Sequence, residues 1–179
     1  LAVAPERLSA DAVVTELAID ALHPEGWFLP ETYAYTSSDD AISVLRRAHT
    51  AMRKALDAAW SARVDDLPLD TPYELLILAS IVEKDSALAL ERPDIAGVFV
   101  RRLQQNWRLE TDPTVIYGMG ERYDGDIRRK DLREDTPYNT YVHRGLPPTP
   151  IAMPGRDALM ATARPAEGTA MFFVADGTG

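Results

Sequence analysis

The pattern of apolar and polar positions is clearest in residues 71–85, which predict a buried helix. Thr71 can cap its start, Pro72 suits the first helical position, and Glu74 can complete a capping box. The next positions are apolar on every side of a 3.6-residue period: Leu75, Leu76, Ile77, Leu78, Ala79, Ile81 and Val82. A helix that is apolar all round lies in the core rather than on the surface.

Four further segments show helical signals. Residues 6–22 predict a short helix that Ser9 can cap, and residues 40–62 predict an amphipathic helix. His49 lies on the apolar stripe of the second segment, and we interpret it as a core or boundary histidine. A third helix is predicted from the break near Pro93 to about residue 106, with Arg102 on its outer face, and a fourth over residues 155–163.

The remaining segments predict loops and strands. Residues 23–35 are rich in aromatics and predict a loop that packs on itself or lines a groove. Residues 107–150 have no sustained period, and we expect short strands and ordered loops there. Residues 170–175 read as a clear strand, followed by a hairpin turn at 176–179. The predicted fold is therefore α+β: helices packed against a small, mostly antiparallel sheet, with a long ordered loop region lining a substrate groove.

Composition narrows the classes of function. The 179 residues are 46% hydrophobic and 26% charged, which suits one domain with at most a small appendage. The net charge of −9 argues against a nucleic-acid binder, which needs a basic face. The chain has no cysteine, which excludes disulfides, thiolate metal sites and cysteine nucleophiles. No apolar run has the length of a membrane span.

The familiar signatures of metal and cofactor enzymes are missing from the sequence. The three histidines are scattered, with no HExxH, and no GxSxG, P-loop or GxGxxG motif occurs. The three lysines have no glycine-rich phosphate cup beside them, so a pyridoxal-phosphate enzyme is not expected. We therefore predict no metal and no cofactor. Carboxylate chemistry remains, with these candidates: Glu31, Glu83, Asp85, Glu110 and Asp112.

Glu83 is the first of these candidates because it lies in the third turn of the buried helix. Helical spacing places it on the stripe of Leu76, Ala79 and Ser80, which are small or apolar. Desolvation there would favour the protonated form, as a general acid requires. The alternative is a structural role, in which Glu83 pairs with Lys84, an arginine or a helix N-terminus.

Five motifs occur in one order along the chain: EGWFLPETY (25–33), ASIVEKD (79–85), TDPTVIYG (111–118), YNTY (138–141) and GLPP (145–148) with Pro150 and Ile151. Over about residues 24–179 the chain resembles the YceG-like family of endolytic murein transglycosylases. The resemblance implies cleavage of the β-1,4 bond between N-acetylmuramic acid and N-acetylglucosamine in nascent peptidoglycan strands, leaving a 1,6-anhydromuramyl end.

The resemblance also implies roles for particular residues. The first acid of the ASIVEKD motif is the family's catalytic glutamate, so Glu83 would protonate the glycosidic oxygen and then act as base on the muramyl C6 hydroxyl. No second carboxylate need serve as nucleophile. Six other residues are candidates for binding sugar or steadying Glu83, with loop scaffolding as the alternative: Glu31, Thr111, Asp112, Tyr117, Asn139 and Tyr141. Asp85 stands where relatives often have Glu, and we expect this difference to have little effect.

The resemblance sets expectations for the whole protein as well. Residues 1–23 are interpreted as the end of a preceding module and residues 24–179 as the catalytic domain, incomplete at its C-terminus. The full-length protein is expected to be anchored by one inner-membrane helix absent from this chain, with the catalytic domain in the periplasm. Its partners would be peptidoglycan glycan strands and peptidoglycan synthases.

Two rival functions remain open from the sequence. A hydrolytic muramidase would use Glu83 with a second acid such as Asp112, and would leave reducing ends. A non-catalytic glycan-binding module of the cell-wall machinery would bind strands without cleaving them.

Overall fold

The computed structural model describes residues 9–19, 23–86 and 88–173, and the fold over these ranges is helical. Its α-helices are α1 (Ala10–Glu16), α2 (Ala41–Ser61), α3 (Pro72–Asp85), α4 (Arg92–Gln104), α5 (Asp112–Met119) and α6 (Arg156–Ala163). Three short 3₁₀ helices connect them, at Ala89–Glu91, Gly120–Arg122 and Asp131–Arg133. None of the helices in the described ranges is long and apolar enough to cross a membrane.

The predicted α+β fold is wrong, because the described ranges contain no strand and no sheet. Part of the segment expected to form strands, residues 107–150, folds instead as α5. Residues 170–173 are not helical, yet the carbonyls of Ala170 and Met171 accept hydrogen bonds from the guanidinium groups of Arg101 and Arg102, at 2.7 and 2.8 Å. Side chains thus occupy the positions that a neighbouring strand would need. The rest of the predicted strand and its hairpin turn, residues 174–179, lie outside the described residues.

Helix α3 forms as predicted and is the centre of the core. The Glu74 backbone N–H donates to Thr71 Oγ1 at 3.2 Å, and the Thr71 N–H donates to Glu74 Oε2 at 3.2 Å, so the capping box is complete. Every residue from 75 to 82 is buried. Helices α2, α4, α5 and α6 all pack against α3. Polar side chains of α3 consequently leave the core only at its two ends, at the cap and in the last turn.

Helix α2 also agrees with its predicted amphipathic pattern. Asp40 caps it by accepting the Ser43 N–H at 2.7 Å. His49 is only 8% exposed, its Nδ1 lies 3.2 Å from the Trp27 carbonyl oxygen, and its ring packs on Trp27 and Phe28. The prediction of a core or boundary histidine is therefore confirmed. In the loop of residues 23–35, Trp27 and Phe28 pack onto the core.

The outer helices differ from their predictions in extent and facing. Helix α1 is shorter than the predicted 6–22, although Ser9 caps it by accepting the Ala12 N–H at 3.2 Å. Residues 1–8 and 20–22 lie outside the described residues. In α4, the expectation that Arg102 faces outward is wrong: it is 5% exposed and donates to the carbonyl of Leu109.

Candidate functional site

Glu83 lies in the last turn of α3 with both carboxylate oxygens engaged. Arg92 donates to Oε1 at 2.7 Å, and the backbone N–H of Gly155 donates to Oε2 at 2.9 Å. Its side chain remains 24% exposed, so solvent and a ligand can reach it. Both partners are hydrogen-bond donors, so each oxygen of Glu83 acts as an acceptor.

The partners of Glu83 come from the starts of two neighbouring helices. Arg92 is the first residue of α4, where its Nε also donates to Ser86 Oγ at 3.2 Å and a terminal nitrogen lies 3.8 Å from Asp157. Gly155 is the residue before α6, so its N–H has no partner within the helix and can donate to Glu83. The sequence left open whether Glu83 has apolar surroundings or is paired. In the structure it is paired with an arginine and with a helix N-terminus.

Glu31 lies on the same side of the molecule as Glu83. Its Oε1 accepts a hydrogen bond from Arg156 Nε at 2.7 Å, and Arg156 directly follows Gly155 in the chain. The two side chains of this ion pair are 54% and 44% exposed. Glu31 is thus at the solvent-exposed rim of the Glu83 environment.

A second polar cluster forms around Asp85, on another side of the same helical turn. The Thr111 hydroxyl donates to Asp85 Oδ2, and the Tyr141 hydroxyl donates to Asp112 Oδ1 at 2.7 Å. These residues border an open cavity of about 360 Å³, which we call the Asp85 pocket. Its lining residues are Asp85, Arg102, Glu110, Thr111, Asp112, Tyr141, Phe172 and Phe173. Three of the six predicted sugar-binding residues are thereby brought together.

Asp85 is a strongly desolvated carboxyl group in this pocket. Burial raises its pKa to about 6, the Thr111 hydrogen bond opposes the shift, and the nearby Asp112 charge adds to it. Burial, followed by the hydrogen bond to Asp112, raises the pKa of Tyr141. Asp85 and Glu83 contact different groups, Thr111 in one case and Arg92 and Gly155 in the other. The expectation that aspartate in place of glutamate has little effect stays a prediction.

Asn139 and Tyr117 do not line the Asp85 pocket. Asn139 is 1% exposed; its amide nitrogen donates to the carbonyls of Asp131 and Glu134 at 3.0 and 2.8 Å, and its Oδ1 accepts the Tyr141 N–H at 3.0 Å. These bonds fix the loop that carries Tyr141. Tyr117 packs against a second tyrosine of the core, with ring centroids 4.8 Å apart. Their roles toward substrate stay predictions.

Arg102 and the two phenylalanines are pocket residues that the sequence analysis missed. Arg102 lies under the exposed ring of Phe172, 5.0 Å from its centroid. An arginine in the last turn of a helix is ordinary on a surface, so its position held no signal of burial. Over the described ranges, no group of three or more histidine, aspartate or glutamate side chains is placed to hold a metal ion.

Comparison with known proteins supplies the wider context. An endolytic murein transglycosylase of Bacillus subtilis (strain 168) is 32% identical over 158 residues, which are 88% of this chain and 43% of that protein. One of Streptococcus pneumoniae serotype 2 (strain D39 / NCTC 7466) is 34% identical over 158 residues, 86% of this chain and 28% of that protein. The chain therefore spans less than half the length of either relative.

The fold has a close counterpart among solved structures. The crystal structure of a yceG-like protein from Listeria monocytogenes superposes with a TM-score of 0.77 at 28% identity, covering 94% of this chain and 58% of that one. The model of the YceG-like family matches residues 3–179. A match over nearly the whole chain establishes that this protein belongs to the YceG-like family.

Proposed function

We propose that this chain is the cleaving part of an endolytic lytic transglycosylase that acts on peptidoglycan glycan strands. The observation that carries the proposal is family membership together with two relatives that both bear the name endolytic murein transglycosylase. The bond broken would be the β-1,4 linkage from N-acetylmuramic acid to N-acetylglucosamine. The muramyl product would close on itself as a 1,6-anhydro sugar, which would limit strand length.

Glu83 is the residue that we propose for both proton transfers. As an acid it gives a proton to the glycosidic oxygen, and the C1–O bond breaks. The muramyl C6 hydroxyl then bonds to C1 and returns its proton to the Glu83 carboxylate, so no water is consumed and the enzyme is regenerated. Its partial exposure and its place at the junction of α3, α4 and α6 support this role.

The contacts of Glu83 hold its carboxyl group at the junction of the three helices. Arg92 donates to Oε1 and the Gly155 N–H donates to Oε2. The acid half of the reaction requires a proton on Glu83, which the glycosidic oxygen then receives.

The Asp85 pocket is the proposed place for neighbouring sugars. Asp112 and Tyr141 present a carboxylate and a hydroxyl group beside exposed phenylalanine rings, a combination that suits the polar edges and apolar faces of sugars. Thr111 is buried beneath them and holds Asp85. Asn139 would act there by positioning Tyr141 rather than by touching the glycan.

The test is mass spectrometry of glycan ends after incubation with uncrosslinked peptidoglycan strands. The wild-type protein should release ends one water lighter than hydrolytic ends, and Glu83→Gln should release none. Asp157→Asn is the matched control, because it removes an exposed charge near Arg92 without touching the reacting carboxyl. It should keep most activity.

Other results would select a rival. Full-mass reducing ends that disappear in Asp112→Asn would make the protein a muramidase. An active Glu83→Gln beside an inactive Asp85→Asn would move the acid to Asp85. Strand binding without cleavage by any form would identify a glycan-binding module.

The setting of the protein follows from the same proposal. A murein transglycosylase works in the cell envelope, and we propose a periplasmic catalytic domain, residues 24–179, preceded by a separate module that ends near residue 23. Anchoring by a single inner-membrane helix outside this chain and cooperation with peptidoglycan synthases are further parts of the proposal.

A further inference from the structure

A positively charged groove lies on the outer side of α2, next to the start of α6. It is an open cavity of about 400 Å³. We call it the cationic groove, and its lining residues are Arg46, Arg47, Thr50, Ala51, Lys54 and Arg156. Residues 46, 50 and 54 follow one another at four-residue spacing, so they share one face of the helix.

The groove is positively charged although the chain as a whole is negatively charged. The protein as a whole has a net charge of −9, whereas α2 carries three arginines, one lysine and one aspartate and is therefore +3. Two of the four groove cations are paired: Arg47 with Asp39 at 3.6 Å and Arg156 with Glu31 at 2.7 Å. Within the described ranges, no ion pair is found for Arg46 or Lys54. Two positive charges are left for a ligand.

The groove adjoins the carboxyl group proposed to act on the glycan. Arg156, which lines the groove, directly follows Gly155, whose N–H donates to Glu83 Oε2 at 2.9 Å. The chain step from Gly155 to Arg156 therefore links the surroundings of Glu83 to the groove.

We propose that the cationic groove binds the carboxylates of the peptide stem carried by the muramyl sugar at Glu83. This inference rests on the proposed function. The stem is attached to the same sugar whose C1 would react, so a strand bound at Glu83 places a flexible, carboxylate-bearing peptide within reach of the groove. Guanidinium groups bind carboxylates through paired hydrogen bonds, and the groove offers the guanidinium of Arg46 beside the ammonium of Lys54. The groove would thus favour strands that still carry their stems.

A concave groove suits a peptide better than a membrane surface. Basic helices that lie on anionic lipid present a protruding face that also carries apolar anchors. Here the cations instead border a cavity between two helices. Binding to lipid is accordingly treated as the competing outcome.

The test measures binding of two strand preparations to proteins with Glu83→Gln, which prevents turnover. One preparation carries peptide stems, and the other has had them removed enzymatically. The double variant Arg46→Gln/Lys54→Gln should weaken binding of stem-bearing strands about tenfold, as expected for the loss of two charge-assisted contacts. Binding of stem-free strands should stay unchanged, which also reports that the protein is folded.

The matched control is Arg53→Gln/Arg129→Gln, which removes the same charge from exposed positions outside the groove. It should leave the preference for stems intact. Equal binding of both preparations by the parent protein, or equal losses for both in the groove variant, would overturn the proposal. The proposal would also be overturned if the groove variant bound phosphatidylglycerol vesicles more weakly than the parent protein but bound stem-bearing strands equally well. If stem-dependent binding is found but the protein with Glu83 intact does not cleave strands, the proposed activity is refuted and the groove assignment stands.

Discussion

Replacing Asp85 with asparagine should make the protein more stable at neutral pH. Asparagine keeps the shape of the side chain and an oxygen that can accept the Thr111 hydroxyl. It cannot ionise, so it avoids placing a charge in a desolvated site. Burial is the main reason that the pKa of Asp85 is raised from 3.8 to about 6.

The sign and size of the stability change follow from that pKa. Below pH 3.8 the carboxyl group is protonated in both the folded and the unfolded protein, so it contributes no difference. Above pH 6 it is ionised in both, and the folded state carries the penalty of a pKa about two units higher. At 1.36 kcal/mol per unit, the penalty is about 3 kcal/mol at most. Stability attributable to Asp85 is therefore lost as the pH rises from about 4 to above 6, and the variant escapes this loss.

The assay is denaturant unfolding of wild type and variant at a series of pH values from 4 to 8. The difference between the two proteins cancels the titration of the other acids and isolates Asp85. It should be near zero at pH 4 and should favour Asp85→Asn by up to about 3 kcal/mol at pH 8. Thr111→Val should have the opposite pH dependence. It removes the hydroxyl that donates to ionised Asp85, so it should destabilise the protein more at pH 8 than at pH 4. A difference curve for Asp85→Asn that is flat with pH would refute the reasoning.

Two further predictions concern positions that set the fold. Gly26→Ala should cost about 2–3 kcal/mol, because Gly26 has φ +85° and an added Cβ would meet Pro150 at 2.6 Å; Gly125→Ala, with φ +100° and open space around it, is the control and should cost less. Thermal unfolding of both variants checks the ranking. Thr71→Ala should cost about 1 kcal/mol through loss of the capping box with Glu74, and a chemical midpoint equal to wild type would contradict it.

The sequence predicted well where one helix carries both a clear period and a clear start. Helix α3 has a complete capping box and an unbroken apolar run, and α2 has its Asp40 cap and a one-sided stripe. Both signals are local, so they survive in the folded protein with boundaries shifted by only a residue or so.

The predictions failed where distant groups decide the local structure. Helix α5 lies in residues 107–150, where the lack of a sustained period predicted short strands and loops. Thr111 in the cap position and Pro113 near the start could have indicated the helix. The sheet was inferred from a β-rich run at residues 170–175. The carbonyls of its first residues bond to arginines of α4, about 70 positions away, and no local pattern reports such contacts.

The same limit explains why Glu83 and Asp85 of α3 were ranked without regard to their partners. Periodicity gives the direction of a side chain but not the groups that meet it. Successive helix residues turn by about 100°, so Glu83 and Asp85 point about 200° apart, and one meets Arg92 and Gly155 while the other meets Thr111. Since residues 75–82 are all buried, α3 can carry ionisable groups to solvent only in its first turn, where Glu74 serves the cap, and in this last turn. A glycan that used both would have to wrap around the end of the helix, which makes the product analysis of Glu83→Gln beside Asp85→Asn the decisive comparison.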